Sequence, residues 1–297
     1  LGAARRMSPL RRGLLIGGGI VLLLLLLLAI ATLGVMLRPA ALKGRAEKAV
    51  HEATGLALRI DGEVRWAAND VARMKPASLT KMMTAVLVVE ALAPSSEVVV
   101  SKRAATADGV RLGLRSGMRL PVEHLLAAAL LRSANDACLA LAERVAGSEA
   151  VFVARMNERA AALGLADTHF ANACGFDAPD HYASARDLAR LADAALDKPR
   201  IAAIVARESG TAKTSDGRLF RFDNTNVLIG RVDGARGVKT GWTRAAGRCL
   251  VAMAERAGTR VLVVMLGAPD RWWDAVAMIE SAFEDARART VPPAAAF

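Results

Sequence analysis

Lys75-Pro76-Ala77-Ser78-Leu79-Thr80-Lys81-Met82-Met83-Thr84 is the stretch on which the reading of this chain turns. A proline closes the approach, and residues 78–90 are rich in Met, Leu, Val and Ala, which predicts a buried helix with Ser78 in its first turn. A serine hydroxyl is a weak nucleophile at its own pKa and needs a neighbouring base. A lysine three positions further along a helix lies on the same face, within hydrogen-bond reach. Ser78 and Lys81 therefore read as nucleophile and base.

Two more triplets follow in order, Ser133-Ala134-Asn135 and Lys239-Thr240-Gly241. Each arises by chance in many chains of this length, so their order and surroundings carry the weight. Apolar helices are predicted over 121–131 and 136–145, with the Ser133 triplet in the break between them. Residues 148–163 and 184–196 each follow a serine cap and carry apolar positions at helical spacing. Strand-like runs at 236–240, 249–254 and 260–266 put Lys239-Thr240-Gly241 on an antiparallel sheet, followed by a helical stretch over 270–286. At the other end, 56–60 and 63–67 flank Asp61-Gly62, whose tolerance of positive φ marks a tight hairpin. The layout is α+β, helices against an antiparallel sheet.

The chemistry these residues suggest is acyl transfer. Ser78 would attack a peptide carbonyl while Lys81 takes its proton, so Lys81 must be neutral, and burial with the positive charge of Lys239 predicts a lowered pKa. Ser133 would relay the proton to the leaving amine and Asn135 would hold a substrate amide. The backbone N–H groups of Ser78 and Trp242 would receive the developing oxyanion, and Lys239 and Thr240, beside Gly241, would bind a terminal carboxylate. His51, His124, His169 and His181 stand in no zinc-protease motif, and neither a phosphate-binding glycine loop nor a metal-ligand cluster is visible.

The N-terminal region differs from the remainder. Residues 13–37 contain no charge and include seven consecutive leucines at 22–28, enough to cross a hydrocarbon layer of about 30 Å. Arg5, Arg6, Arg11 and Arg12 precede the segment and Arg38 follows it, predicting a cytoplasmic N-terminus and an exported remainder. Ala29-Ile30-Ala31 suits a cleaved signal, whose apolar region runs only about 7–15 residues, so an uncleaved signal anchor is preferred. The expected organisation is a basic stub and transmembrane helix over 1–38, a linker over 39–52, a catalytic domain over 53–290 and a tail over 291–297.

The 297 residues carry a formal net charge of +11, but the basic residues are dispersed without aromatic interleaving, which argues against a nucleic-acid partner. Cys138, Cys174 and Cys249 are odd in number and match no metal site or disulfide framework. Cys138 and Cys249 read as small buried hydrophobes on a helix and a strand.

With these residues in view, the chain resembles the serine D-alanyl-D-alanine carboxypeptidases, the low-molecular-mass penicillin-binding proteins. S-x-x-K with an S-x-N triplet and K-T-G is a known signature of penicillin-interacting serine enzymes. The resemblance runs from about residue 53 to 286 and includes Ser133-Ala134-Asn135-Asp136-Ala137-Cys138, Gly175-Phe176-Asp177-Ala178-Pro179 and Ser184-Ala185-Arg186-Asp187-Leu188. It implies the penicillin-recognising fold, a cofactor-independent hydrolase outside the cytoplasm, peptidoglycan stem peptides as substrates and β-lactam antibiotics as acylating inhibitors. The setting implied is the extracytoplasmic face of a bacterial cytoplasmic membrane, reached through one N-terminal span.

Departures from the family pattern shape the expectations. Relatives often carry a second β-rich domain and a C-terminal amphipathic anchor, a role the N-terminal segment is expected to take here. Where they often have an arginine two residues beyond the position of Arg271, this chain has Trp273. Asn224-Thr225-Asn226 and residues 243–250 look closer to endopeptidases that cut D-alanyl cross-links. The alternatives are therefore such an endopeptidase, a β-lactamase or a non-catalytic penicillin-binding protein. Class A β-lactamases deacylate through a glutamate, and no convincing E-x-x-x-N loop lies between Ser133 and Lys239.

Overall fold

Asp61 and Gly62 adopt φ of 48° and 86°, the left-handed pair that matches a two-residue turn to the twist of its strands. They join β1 (Gly55–Ile60) to β2 (Glu63–Ala68), with Ile60 opposite Glu63. The computed structural model describes residues 25–27, 39–52 and 55–290. The expected membrane segment lies outside these apart from Leu25, Leu26 and Leu27, and among the described residues no helix is long and apolar enough to cross a membrane.

Helix α1 (Pro39–Glu52) precedes the hairpin, and after the hairpin a 3-10 turn (Ala77–Thr80) leads into α2 (Lys81–Ala91). Next come β3 (Glu97–Val99), α3 (Lys102–Ala105), β4 (Arg119–Pro121), α4 (Val122–Ala127), α5 (Asn135–Ala146) and α6 (Glu149–Ala162). The chain continues through α7 (Ala185–Leu196), α8 (Pro199–Val205), β5 (Ser209–Lys213) and β6 (Leu219–Asp223). It returns to the sheet with β7 (Ala235–Thr243), β8 (Gly247–Arg256) and β9 (Thr259–Leu266), and α9 (Arg271–Thr290) follows.

The main sheet has the order β2-β1-β9-β8-β7 and is antiparallel throughout. Its inner strands are apolar on both faces because both faces are covered. On β8, Leu250, Ala252 and Ala254 pack toward α1 and α9, while Cys249, Val251 and Met253 join the helical block. Val261, Val263 and Met265 of β9 alternate with Leu262, Val264 and Leu266 in the same way, the period of two expected of a strand. A one-residue slip would exchange the two sets, so register is strongly specified.

Residues 39–52, expected as a linker, are helical. Leu42 and Ala46 are buried in the same cluster as Met278 and Ile279 of α9, and Arg45 lies 2.8 Å from Asp270 and 3.0 Å from Asp274. The cysteine reading is corrected at one point: Cys138 and Cys174 form a disulfide across a sequence separation of 36, with Cα atoms 6.1 Å apart, and Cys249 is the buried free thiol. Spacing alone does not disclose that loop 171–176 folds against α5. Two small sheets, β3 with β4 and β5 with β6, were also unanticipated.

Candidate active site

Ser78 sits in the 3-10 turn that opens α2, and the residue before it, Ala77, is held at φ 48°. A left-handed alanine carries strain that the surroundings must offset. Lys81, one turn on, is buried at 1% exposure. Its Nζ lies 3.0 Å from Ser78 Oγ, 2.7 Å from Asn135 Oδ1 and 2.7 Å from the Cys174 carbonyl oxygen. A neutral amine has two N–H donors and one lone pair. With Asn135 and Cys174 each accepting one N–H, the lone pair is left for the Ser78 hydroxyl, which is the geometry of a general base. Burial, reinforced by the charge of Lys239, pushes the Lys81 pKa well below its ordinary value, in the direction the sequence predicts.

The second wall begins where α4 ends in a π turn over Ala128–Arg132. Ser133 follows at φ 66°, a left-handed break that turns the chain into α5, whose first residue is Asn135. Asn135 donates from Nδ2 to Asp108 O at 2.7 Å, and its backbone N–H reaches Val110 O at 2.7 Å. Asp136, absent from the candidate set, holds the same loop: its buried carboxylate accepts from the N–H groups of Leu112, Gly113 and Leu114. Ser78, Ser133, Asn135 and Trp242 then line one cleft of about 310 Å³, which also meets Gly109, Cys174 and Arg244 and has no carboxylate side chain in its lining.

Strand β7 forms the third wall. Lys239, Thr240 and Gly241 are buried on it, and Trp242 emerges at the cleft with 65% exposure. A Cβ on Gly241 would lie 3.1 Å from Ala77 Cβ and 3.2 Å from Ser78 N, so glycine lets this strand press against the turn that carries Ser78. Thr240 Oγ1 lies 2.7 Å from Thr225 Oγ1, and Thr225 also donates to Leu131 O, linking Asn224-Thr225-Asn226 to both walls. Lys239 does not line the cleft. Its Nζ donates to Thr240 O at 2.9 Å, and burial together with Arg271 lowers its pKa to about 7. Arg271 itself donates to the carbonyls of Gly241 and Cys249, whereas Trp273 is 45% exposed.

The floor comes from loop 171–176. Asn172 Oδ1 accepts from the N–H groups of Cys174, Gly175 and Phe176, curling the loop so that the Cys174 carbonyl meets Lys81. Gly175 has φ 90°, and a Cβ there would stand 1.9 Å from Ala77 O, so only glycine fits. In the sequence, the stretch containing Gly175 stood out only through the family resemblance, without a place at the site, and Asn172 carried no signal at all. Among the described residues no group of His, Cys, Asp and Glu could hold a metal ion.

Residues 49–270 match the profile of the D-alanyl-D-alanine carboxypeptidases. D-alanyl-D-alanine carboxypeptidase DacF of Bacillus subtilis is 36% identical over 231 residues, covering 75% of this chain and 59% of the relative. The Escherichia coli carboxypeptidase DacA is 35% identical over 218 residues, or 69% and 53% of the two chains. This chain thus spans between half and three fifths of the length of these two relatives. Among solved structures, the Streptomyces K15 DD-transpeptidase superposes with a TM-score of 0.73 at 28% identity, over 78% of this chain and 97% of that one. Penicillin-Binding Protein D2 from Listeria monocytogenes, in an ampicillin-bound form, gives a TM-score of 0.68 at 31% identity, over 78% and 97%. The antiparallel sheet and helical block are therefore those of the penicillin-recognising DD-peptidases.

Proposed function

Because the chain belongs to the D-alanyl-D-alanine carboxypeptidase family, we propose that it is a serine hydrolase that removes the terminal D-alanine of peptidoglycan stem peptides. The observation that carries this reading is the contact of Lys81 Nζ with Ser78 Oγ at 3.0 Å, made by a buried lysine whose other two partners are acceptors. Ser78 attacks the penultimate carbonyl, its proton passes to Lys81, and the tetrahedral oxyanion is received by the Ser78 and Trp242 N–H groups. The proton taken by Lys81 is relayed through Ser133 to the nitrogen of the departing D-alanine, and water later hydrolyses the acyl-enzyme. Asn135 holds the substrate amide, and the terminal carboxylate is answered by Thr240 and, from behind the cleft lining, by the positive charge of Lys239.

β-Lactams would acylate the same serine. The carboxylate-free cleft lining supports slow deacylation of such an adduct and argues against a glutamate-driven β-lactamase. The proposed location is the outer face of the bacterial cytoplasmic membrane, anchored by residues 13–37. The Cys138–Cys174 disulfide supports an oxidising compartment.

A second reading, an endopeptidase that opens D-alanyl cross-links, is favoured by the Thr225–Thr240 contact that ties Asn224-Thr225-Asn226 to the site. Incubation with a stem pentapeptide and a cross-linked muropeptide dimer, followed by mass spectrometry, separates the two. D-Alanine release with intact dimers supports the carboxypeptidase. Conversion of dimers to monomers supports the endopeptidase, and inertness toward both sinks the peptidase assignment.

A further inference from the structure

His181 is buried at 1% exposure and has no part in the proton path described above. Its Nδ1 accepts the Ala171 N–H at 2.9 Å. That bond assigns the tautomer: the ring proton is on Nε2, which lies 2.8 Å from Thr80 Oγ1. Thr80 Oγ1 in turn donates to the Ala77 carbonyl oxygen at 2.8 Å. The direction of every bond is therefore determined, from the Ala171 amide through the imidazole and the threonine hydroxyl to the carbonyl that immediately precedes the nucleophile.

That carbonyl is the one packed on Gly175, and it belongs to the left-handed Ala77. Beside the backbone bonding of the 3-10 turn, the Thr80 hydroxyl gives this strained peptide a directed side-chain hydrogen bond that helps keep its orientation. Because the Ala77 carbonyl and the Ser78 N–H share one peptide plane, turning the carbonyl also turns the proposed oxyanion donor. The imidazole is well held. Burial and the charge of Lys75, which donates to the carbonyls of Ala178 and Pro179, push its pKa down to about 4, so it is neutral near pH 7. The ring also stands edge-on to Phe170.

We propose that His181 is a positioning residue for Ser78, acting through Thr80 to orient the Ala77–Ser78 peptide for acylation; this rests on the reading of Ser78 as nucleophile. His181 touches no reacting atom, and its effect belongs to the acylation step and not to prior non-covalent binding.

The test is stopped-flow acylation of the 297-residue chain in detergent by benzylpenicillin, separating the acylation rate constant from the dissociation constant of the preceding complex. His181→Asn can still accept from Ala171 but is too short to reach Thr80, and Thr80→Val removes the hydroxyl at nearly constant volume. Both are expected to lower the rate constant about 10- to 100-fold, on the scale of a small misplacement of a reacting group. The dissociation constant should stay within about twofold, since ground-state binding is untouched. His181→Gln can place an N–H donor near Thr80 and is expected to recover much of the rate, and the Asn and Val changes combined should cost no more than either alone.

Wild-type rates in a folded Thr80→Val variant, or losses that track the folded fraction by circular dichroism with no recovery in His181→Gln, would overturn the inference. If His181→Asn does not fold, Thr80→Val carries the comparison. Failure of the wild-type chain to acquire any penicillin adduct would instead remove the parent reading of Ser78.

Discussion

At the scale of single residues, the proposed reading divides the work between two buried lysines. In it, Lys81 must give up its proton before it can accept one from Ser78, and Lys239, behind the cleft lining, must keep its own to favour a bound carboxylate. Burial lowers both pKa values, and the charge of each neighbouring cation adds to the effect. Acylation by a carboxylate-bearing peptide should therefore rise with pH as Lys81 deprotonates and fall as Lys239 discharges above about pH 7. Arg271 is one of the two causes of the Lys239 shift, so Arg271→Gln is expected to move the alkaline limb to higher pH. An alkaline limb that stays put or moves down in that variant contradicts the assignment of Lys239. Replacement of Lys81 by alanine should lower acylation by at least about a hundredfold, the scale of a lost general base, and a wild-type rate would remove lysine from that role.

At the scale of elements, the site depends on close approaches between backbones. Gly175→Ala would drive a methyl group into the Ala77 carbonyl and place alanine at positive φ. The expected cost is about 2–4 kcal/mol of stability with loss of penicillin binding, measured by urea unfolding and adduct formation. The disulfide closes a loop between α5 and the residue whose carbonyl meets Lys81. For a separation of 36 residues, its removal by Cys138→Ala with Cys174→Ala is expected to cost roughly 2–4 kcal/mol, and an unchanged urea midpoint would show the bridge to be dispensable. His181 adds a pH signature. Its folded-state pKa lies below the unfolded value, so its stabilisation is full above about pH 6.5 and is lost as pH falls toward about 4. Over that window the melting temperature of the wild-type chain should drop more than that of His181→Gln, and parallel curves would contradict the neutral imidazole.

For the molecule as a whole, the hairpin, the sheet strands, the capped helices and the three motif triplets were legible because their signals are local: alternation, serine caps, a turn dipeptide and an i, i+3 pair. The pieces that escaped are those whose meaning lies in distant partners. His181 meets Thr80 across 101 positions, Cys138 meets Cys174 through a loop with no periodic pattern, and α1 is helical where composition suggested a tether. Asp136 and Asn172 serve backbone amides, and nothing in a lone acidic or amide side chain announces that. All of these support parts converge on one claim, that Ser78 is the residue that becomes acylated. The most direct measurement is mass mapping of the peptides of the 297-residue chain after exposure to benzylpenicillin. The account predicts one long-lived adduct on the peptide carrying Ser78, absent from Ser78→Ala. An adduct on another residue, or one that persists in Ser78→Ala, would contradict it.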